Sequence, residues 1–387
     1  MTAPRLPERS ANVAAIVEAM SIKFNTMVYE LKRAGKSVSV LSLGEAFFDL
    51  PVADVRDLPH PQIFHYSDSR GIPELRRSIA AYYGSRYGLT VDPEAEIILT
   101  AGSKLAIYMA LLAVLDPGDE VLIPEPAWVS YSEQVRLCHG VPIGIPYTEG
   151  VTAWSEYITG RTKALVINNP QNPTGYRYSE KELQYVVEVA RRHGLWVLSD
   201  EAYSDFTPDA EFASTAHFDQ SKSHVVVFNS ISKNCGISGW RLGYVIANAA
   251  LTDQILKVNQ HLSTCPATIL EYYIERHFSD ILTVTKPQIA ALLEKRSRVA
   301  AFMDGIGLKY LPGDSTFYFF VSIAPSRLGS EAFCVRLLEE KHVCVVPGVG
   351  YGSSCDGFVR VSIGTESFEN VTAALAQVAA LVRETAG

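Results

Sequence analysis

Five short apolar runs, each followed by a turn and then a helix-length stretch, dominate the middle of the chain: Glu96–Thr100, Glu120–Ile123, Lys163–Asn168, Leu195–Ser199 and His224–Asn229. Between them the pattern predicts helices over Lys104–Leu115, stopped by Asp116-Pro117-Gly118, over Trp128–Leu137, and over Ser179–His193. Ser179 and Glu182 have capping-box spacing. Strands that are apolar throughout and separated by helices imply a mostly parallel sheet covered on both faces. The expectation is an α/β fold, a doubly wound large domain over residues 50–284.

The flanks read differently. A helix is expected over Asn12–Ala34, stopped by Gly35, then a strand over Val38–Leu43 and a helix opening at Pro73 and ending at Gly88. The tail offers a long helix over Lys286–Met303, a strand over Phe317–Ile323, and a helix over Ser330–Lys341. Strands over His342–Val346 and Phe358–Ile363 follow, with a last helix from Phe368. This predicts a smaller, discontinuous α+β domain, residues 1–49 and 285–387. The 387 residues are 48% hydrophobic and 20% charged, as in a globular protein. A net charge of −8 without a basic run argues against a nucleic-acid partner. No apolar run approaches the roughly 18 residues of a membrane span, and Met1–Ser10 has no apolar signal-peptide core. A cytoplasmic protein without membrane contact is expected. The six cysteines form no CxxC pair, so neither a zinc ribbon nor a disulfide framework is indicated.

Ligands of an open parallel sheet bind where its strands end, so the residues after each strand are the candidates. Gly102-Ser103-Lys104 opens a helix, where backbone N–H groups attract anions; an ordinary strand-to-helix turn is the plainer explanation. Asn169-Pro170-Gln171-Asn172-Pro173-Thr174-Gly175 is rigid and amide-rich, and suits a structural turn as well as a site. Asp200 is either a helix cap or the partner of a buried cation. Lys233, after Ser230-Ile231-Ser232 and before Gly236, Gly239 and Arg241, is a solvated charge or a desolvated amine able to take a carbonyl. Arg360, inside the strand Phe358-Val359-Arg360-Val361-Ser362, either faces solvent or needs an anionic partner.

Together these residues meet the needs of one chemistry. A pyridine-aldehyde cofactor requires a lysine for the aldehyde, an acid for the ring nitrogen, donors for the phenolate oxygen and a cradle for the phosphate. Lys233, Asp200, Tyr203 with Asn172, and Ser103, Ser230 and Arg241 fill those places, and Arg360 remains for a carboxylate.

Over nearly its whole length the sequence resembles the class I and II aminotransferases, fold-type I enzymes dependent on pyridoxal 5′-phosphate (PLP), and most resembles their bacterial aspartate-aminotransferase-like subgroup. The likeness runs through Leu43-Gly44-Glu45, Tyr66, Gly71 to Arg76, Thr100 to Ser103, Asp116 to Val121 and Pro126 to Tyr131. It continues through Asn172 to Gly175, Ser199 to Tyr203, Ser230 to Gly243, Val346-Pro347-Gly348 and Val359-Arg360. The resemblance implies that Lys233 holds PLP and moves a proton, Asp200 keeps the pyridine nitrogen protonated, and Tyr203 and Asn172 bond the phenolate oxygen. It implies that Trp128 stacks on the ring, and that Gly102, Ser103, the Lys104 backbone N–H, Ser230 and Arg241 hold the phosphate. Gly44, Trp128, Asn172 and Arg360 would bind the substrate, an amino acid exchanging with a 2-oxo acid. Tyr66 would reach the neighbouring subunit of a homodimer with shared active sites. The implied alternatives are elimination, cyclisation or oxidation on the same fold, or a non-catalytic PLP-fold binding protein.

The sequence departs from the family at Ala46-Phe47-Phe48, at Ser315-Thr316, in the short stretch Tyr147–Thr162, and at Leu112, where relatives are expected to carry a lysine for a distal carboxylate. Leu112, which supplies no cation there, and Phe47 and Phe48 near Gly44, read as an apolar or aromatic wall, predict neutral or hydrophobic amino donors.

Overall fold

The structure is a computed structural model describing residues 9–50, 54–208 and 212–387. Residues 1–8, most of the stretch read for a signal peptide, lie outside the described residues. Twelve strands are present among those described: β1 (Ser39–Val40), β2 (Ile97–Thr100), β3 (Glu120–Pro124), β4 (Val141–Ile145), β5 (Thr162–Asn168), β6 (Trp196–Asp200), β7 (Val225–Ser230), β8 (Gly243–Ile246), β9 (Tyr318–Ser322), β10 (Val343–Cys344), β11 (Val346–Pro347) and β12 (Phe358–Ser362). The helices are α1 (Ala11–Ala14), α2 (Met20–Arg33), α3 (Pro73–Tyr87), α4 (Ser103–Val114), α5 (Tyr131–Leu137), α6 (Glu180–His193), α7 (Ile231–Asn234), α8 (Ala249–Leu262), α9 (Thr268–Gly305), α10 (Ser330–Lys341) and α11 (Phe368–Glu384).

Seven strands form one sheet in the order β2-β8-β7-β6-β5-β3-β4, parallel except for β8, which runs antiparallel to both its neighbours. Alternate side chains enter two different cores. Val225 and Val227 of β7 join one cluster with Leu75, Ile79 and Leu183, while Val226 and Phe228 join another with Ala106, Ala110 and Ile255. Because both faces are covered, the strands read as unbroken apolar runs. A third cluster surrounds the antiparallel sheet β11-β12-β9, where Phe319, Val321, Val359 and Val361 pack with Phe24 of α2 and Leu375 of α11. It also takes in Tyr203 and Phe206, which follow β6, so the two sheets meet at the end of β6.

Several elements differ from the sequence expectation. The first helix is split: Ile16–Ala19 is not helical, and the Val17 N–H donates to Glu133 Oε2 of α5 at 3.2 Å instead of to a helical carbonyl. Strands β4 and β8 and helix α8 were not anticipated. The long helix begins at Thr268, not Lys286; Pro287 lies inside it although proline resembles a helix start. The run His342–Val346 divides between two sheets, β10 pairing with β1 and β11 with β12.

Candidate active site

The site lies where β5, β6 and β7 end. Parallel register sets Asn168 of β5 opposite Asp200 of β6, and β8 sets Gly243 opposite both Thr100 and Ser230. The candidates scattered through 140 residues of sequence are thereby gathered at one edge. Gly243 is small for a reason: a Cβ there would lie 2.4 Å from the backbone nitrogen of Ser103.

Asp200 is buried, with Oδ2 accepting from the Tyr131 hydroxyl at 2.6 Å and Oδ1 from the Ala202 N–H at 3.1 Å. Burial pushes its carboxyl above the ordinary range, opposed by those two donors and by Lys233. Lys233 stands on the single turn α7, part-buried, and donates to the Gly44 carbonyl at 2.6 Å. Its Nζ is 5.6 Å from the Tyr203 ring centroid. Loss of water pushes this amine down to about 8; Glu45 opposes the shift and Arg360 and Arg241 reinforce it. Tyr203 is buried and shares a 2.8 Å hydrogen bond with the Tyr318 hydroxyl.

At the opening of α4, Gly102 has φ +89°, and a Cβ on it would lie 2.6 Å from Arg241 Nη2. Arg241 therefore lies against the Gly102-Ser103 backbone, and its Nη1 donates to Ser238 O at 2.8 Å. Ser230 caps α7 through the Ser232 N–H. The Lys104 amine, lowered by shielding from water and then by Arg241, sits 4.9 Å from the centroid of the Trp128 ring. Glycine, hydroxyls, helix-start N–H groups and two cations thus meet in one corner, a fit for a phosphate monoester.

Arg360 does not face solvent. It is 3% exposed; Nη2 donates to Ser42 O at 2.6 Å and Nη1 to Asn172 Oδ1 at 3.4 Å, and Nε has no partner. Its Cζ lies 4.7 Å from the Tyr318 ring centroid and 5.5 Å from that of Tyr351. Among the described residues it forms no ion pair with a carboxylate. A buried guanidinium left in this state can receive an anion at low cost.

Two sequence candidates stand apart. Tyr66 is 86% exposed and bonds to none of the other site residues. Leu112 corrects the donor argument: it lies in the last turn of α4, nine residues past Ser103 and so ~13.5 Å along the helix. There it lines a surface depression with Lys163 and Trp196, at the starts of β5 and β6. The charged side chain at the site end of α4 is Lys104. Of the aromatic pair near Gly44, Phe48 stacks on Phe206 and packs against Gly236, while the Phe47 ring is exposed.

Tyr131 and Tyr318 were missed, because each bonds its partner across a long sequence separation. Only Tyr131, just after the Pro-x-Trp stretch, carried a local signal.

The chain matches the family model for aminotransferase class I and II over residues 43–378. It is 32% identical over 369 residues to the aspartate aminotransferase of Pyrococcus abyssi (strain GE5 / Orsay), covering 92% of this chain and 95% of that protein. It is 30% identical over 369 residues to aromatic-amino-acid aminotransferase 2 of Thermococcus litoralis (strain ATCC 51850 / DSM 5473 / JCM 8560 / NS-C), again covering 92% and 95%. The solved structure of the aspartate aminotransferase from Thermus thermophilus with maleate superposes with a TM-score of 0.89 at 30% identity, covering 97% of this chain and all of that one. With its seven-stranded sheet, the cluster at the strand ends and these likenesses over almost the full length, the chain belongs to the class I and II aminotransferases.

Proposed function

We propose that this protein is a PLP-dependent aminotransferase that moves an amino group from an L-amino acid to a 2-oxo acid in two half-reactions. The observation that carries the reading is the pairing of a desolvated amine, Lys233, with a buried carboxylate, Asp200, beside a phosphate-shaped corner. Lys233 would take the cofactor aldehyde, Asp200 the ring nitrogen, Tyr203 and Asn172 the phenolate oxygen, Trp128 the ring face, and Gly102, Ser103, Lys104, Ser230 and Arg241 the phosphate. Bound there, PLP supplies an aldehyde for the amino group and a ring that accepts the electrons of the Cα–H bond.

The chain's own residues do the rest. Arg360 binds the α-carboxylate through its planar fork and, with Asn172 and Gly44, fixes which Cα bond faces Lys233. Lys233, its amine lowered to about 8, would take a proton from Cα and return it on the other side of the exchange. Asp200, held by Tyr131 and Ala202, stabilises positive charge on the ring nitrogen throughout. Lys104 offers a cation beside Trp128, so acidic donors are accommodated; this replaces the neutral-donor expectation drawn from Leu112. The same reading includes a large domain over residues 50–284, a small one from the remainder, and a homodimer, supported by the exposed rings of Phe64 and Tyr66.

The test is a single half-reaction. An L-amino acid added alone to the PLP-loaded protein should yield stoichiometric pyridoxamine phosphate and 2-oxo acid. Ammonia, a cyclised product or oxygen consumption in their place would assign elimination, cyclisation or oxidation instead.

A further inference from the structure

We propose that Tyr318 is a positioning residue through which a carboxylate arriving at Arg360 changes the hydrogen bonding of Tyr203. The proposal rests on the aminotransferase reading above, which places a substrate carboxylate at Arg360 and the cofactor against Tyr203.

Tyr318 stands between the two groups. Its ring centroid is 4.7 Å from the Arg360 guanidinium carbon, and its hydroxyl is 2.8 Å from that of Tyr203. Gly44 leaves room for it: a Cβ there would lie 3.2 Å from the Tyr318 hydroxyl oxygen. The backbone that carries Tyr318 is tightly held. Thr316 has φ +61°, a conformation that a β-branched residue adopts only where its surroundings enforce it. Its N–H donates to Phe206 O at 2.9 Å. Arg296, buried in α9, supplies the main restraint: Nε donates to Ser315 O at 2.9 Å, and Nη2 to both Thr174 O and Tyr318 O at 3.0 Å. One guanidinium therefore ties the corner bearing Tyr318 to the loop bearing Asn172, which itself meets Arg360.

With the backbone fixed, protons and dipoles are what can respond. A cation facing a phenol makes its hydroxyl a stronger donor, so Arg360 favours Tyr318 as the donor in the tyrosine pair. That donation in turn strengthens Tyr203 as a donor toward its own acceptor. A carboxylate that neutralises Arg360 removes the bias, and Tyr203 then donates less strongly. The other charged groups around the pair are Glu45, after β1, Asp200 on β6 and Lys233 on α7. Tyr351 faces the same guanidinium at 5.5 Å without a hydrogen bond to Tyr203, which makes it the natural control.

The experiment follows the pH midpoint of the visible cofactor band in the PLP-loaded protein, with and without saturating maleate as an unreactive carboxylate. Tyr318→Phe without maleate should move the midpoint toward the maleate-bound value by about 0.7 pH unit, a fivefold change in the acid constant for one lost hydrogen bond. The further shift on adding maleate should shrink accordingly. Tyr203→Phe, which removes the other end of the same bond, should also shrink the maleate shift and serves should Tyr318→Phe fold poorly. Tyr351→Phe should keep both midpoints. Unchanged midpoints in the Tyr318 and Tyr203 variants, or equal shifts in the Tyr318 and Tyr351 variants, would overturn the proposal. A wild-type protein with no visible band would instead remove the aminotransferase reading on which it rests.

Discussion

At the end of β6 the fold supplies neutral donors to both oxygens of Asp200, whereas on β12 it leaves Arg360 with an unpartnered Nε and, among the described residues, no carboxylate. Both groups are buried. The difference lies in what each waits for. A carboxylate steadied by Tyr131 and a backbone N–H can keep its charge in a desolvated place and meet a cation that stays. A guanidinium resting on a carbonyl, an amide and two aromatic rings loses little when an anion arrives, and little again when it leaves. The scaffolds match these tasks. Asp200 ends a central parallel strand beside the edge where ligands gather, whereas Arg360 sits in the middle of β12, in a buried three-stranded antiparallel sheet.

The comparison breaks most completely at Lys233, which both charges influence. Lys233→Ala should abolish turnover, while phosphate contacts still retain PLP. Borohydride reduction and peptide mapping of the native protein should label Lys233 alone, and label on another lysine would overturn the assignment. Because burial lowers this amine to about 8, capture of PLP by the cofactor-free protein should rise with pH through that value, not near 10.5. Only the deprotonated amine attacks an aldehyde, and a lowered pKa brings that form in at lower pH.

Removing the steadied charge should come next. Asp200→Ala should lower kcat by at least ~100-fold, several kcal/mol of transition-state stabilisation, with a small change in KM. Near-native kcat would show that Asp200 only caps the turn after β6. Arg360→Lys sharpens the contrast, since it keeps the charge but loses the planar fork. Its expected effect is a rise in KM of about 10–100-fold with a much smaller loss of kcat than in the Asp200 variant. Equal losses of kcat from the Asp200 and Arg360 variants would mean that the two charges are not specialised as described.

Legibility in the sequence divides along the same line. Asp200, Lys233, Ser230 and Ser103 were readable because each lies at, or within three residues of, the end of a strand, and a parallel sheet brings its strand ends to one edge. Arg360 was readable only as a choice between solvent and an anion, since alternation in a five-residue strand fits both. Tyr131 and Tyr318 left little local trace, since their partners lie 69 and 115 residues away, and Arg296 reaches Thr174 122 residues back as well as Ser315 and Tyr318 nearer by. Strand β8 was hidden because its four residues directly follow the Gly236–Arg241 turn region. Leu112 was misplaced because helix α4 carries its C-terminal residues away from the edge at which it begins.

That misplacement sets the last and smallest expected effect. Lys104 is next to Trp128 but only partly shielded, so its attraction for a second carboxylate is screened by water and salt. Lys104→Ala should therefore lower kcat/KM for aspartate by about 3–10-fold, while phenylalanine and leucine, which have no charge to place there, change little. The loss should fade as ionic strength rises, because a partly exposed pair is screened within roughly 10 Å at 0.1 M salt. Lys104 also lies at the phosphate corner, where its amine is lowered partly by Arg241, so the cofactor dissociation constant must be measured alongside. A parallel loss for all three donors, together with weaker PLP binding, would assign Lys104 to the phosphate alone. Donor selection would then rest on residues other than Lys104, and the distinction between a steadied and an open charge would be confined to Asp200 and Arg360.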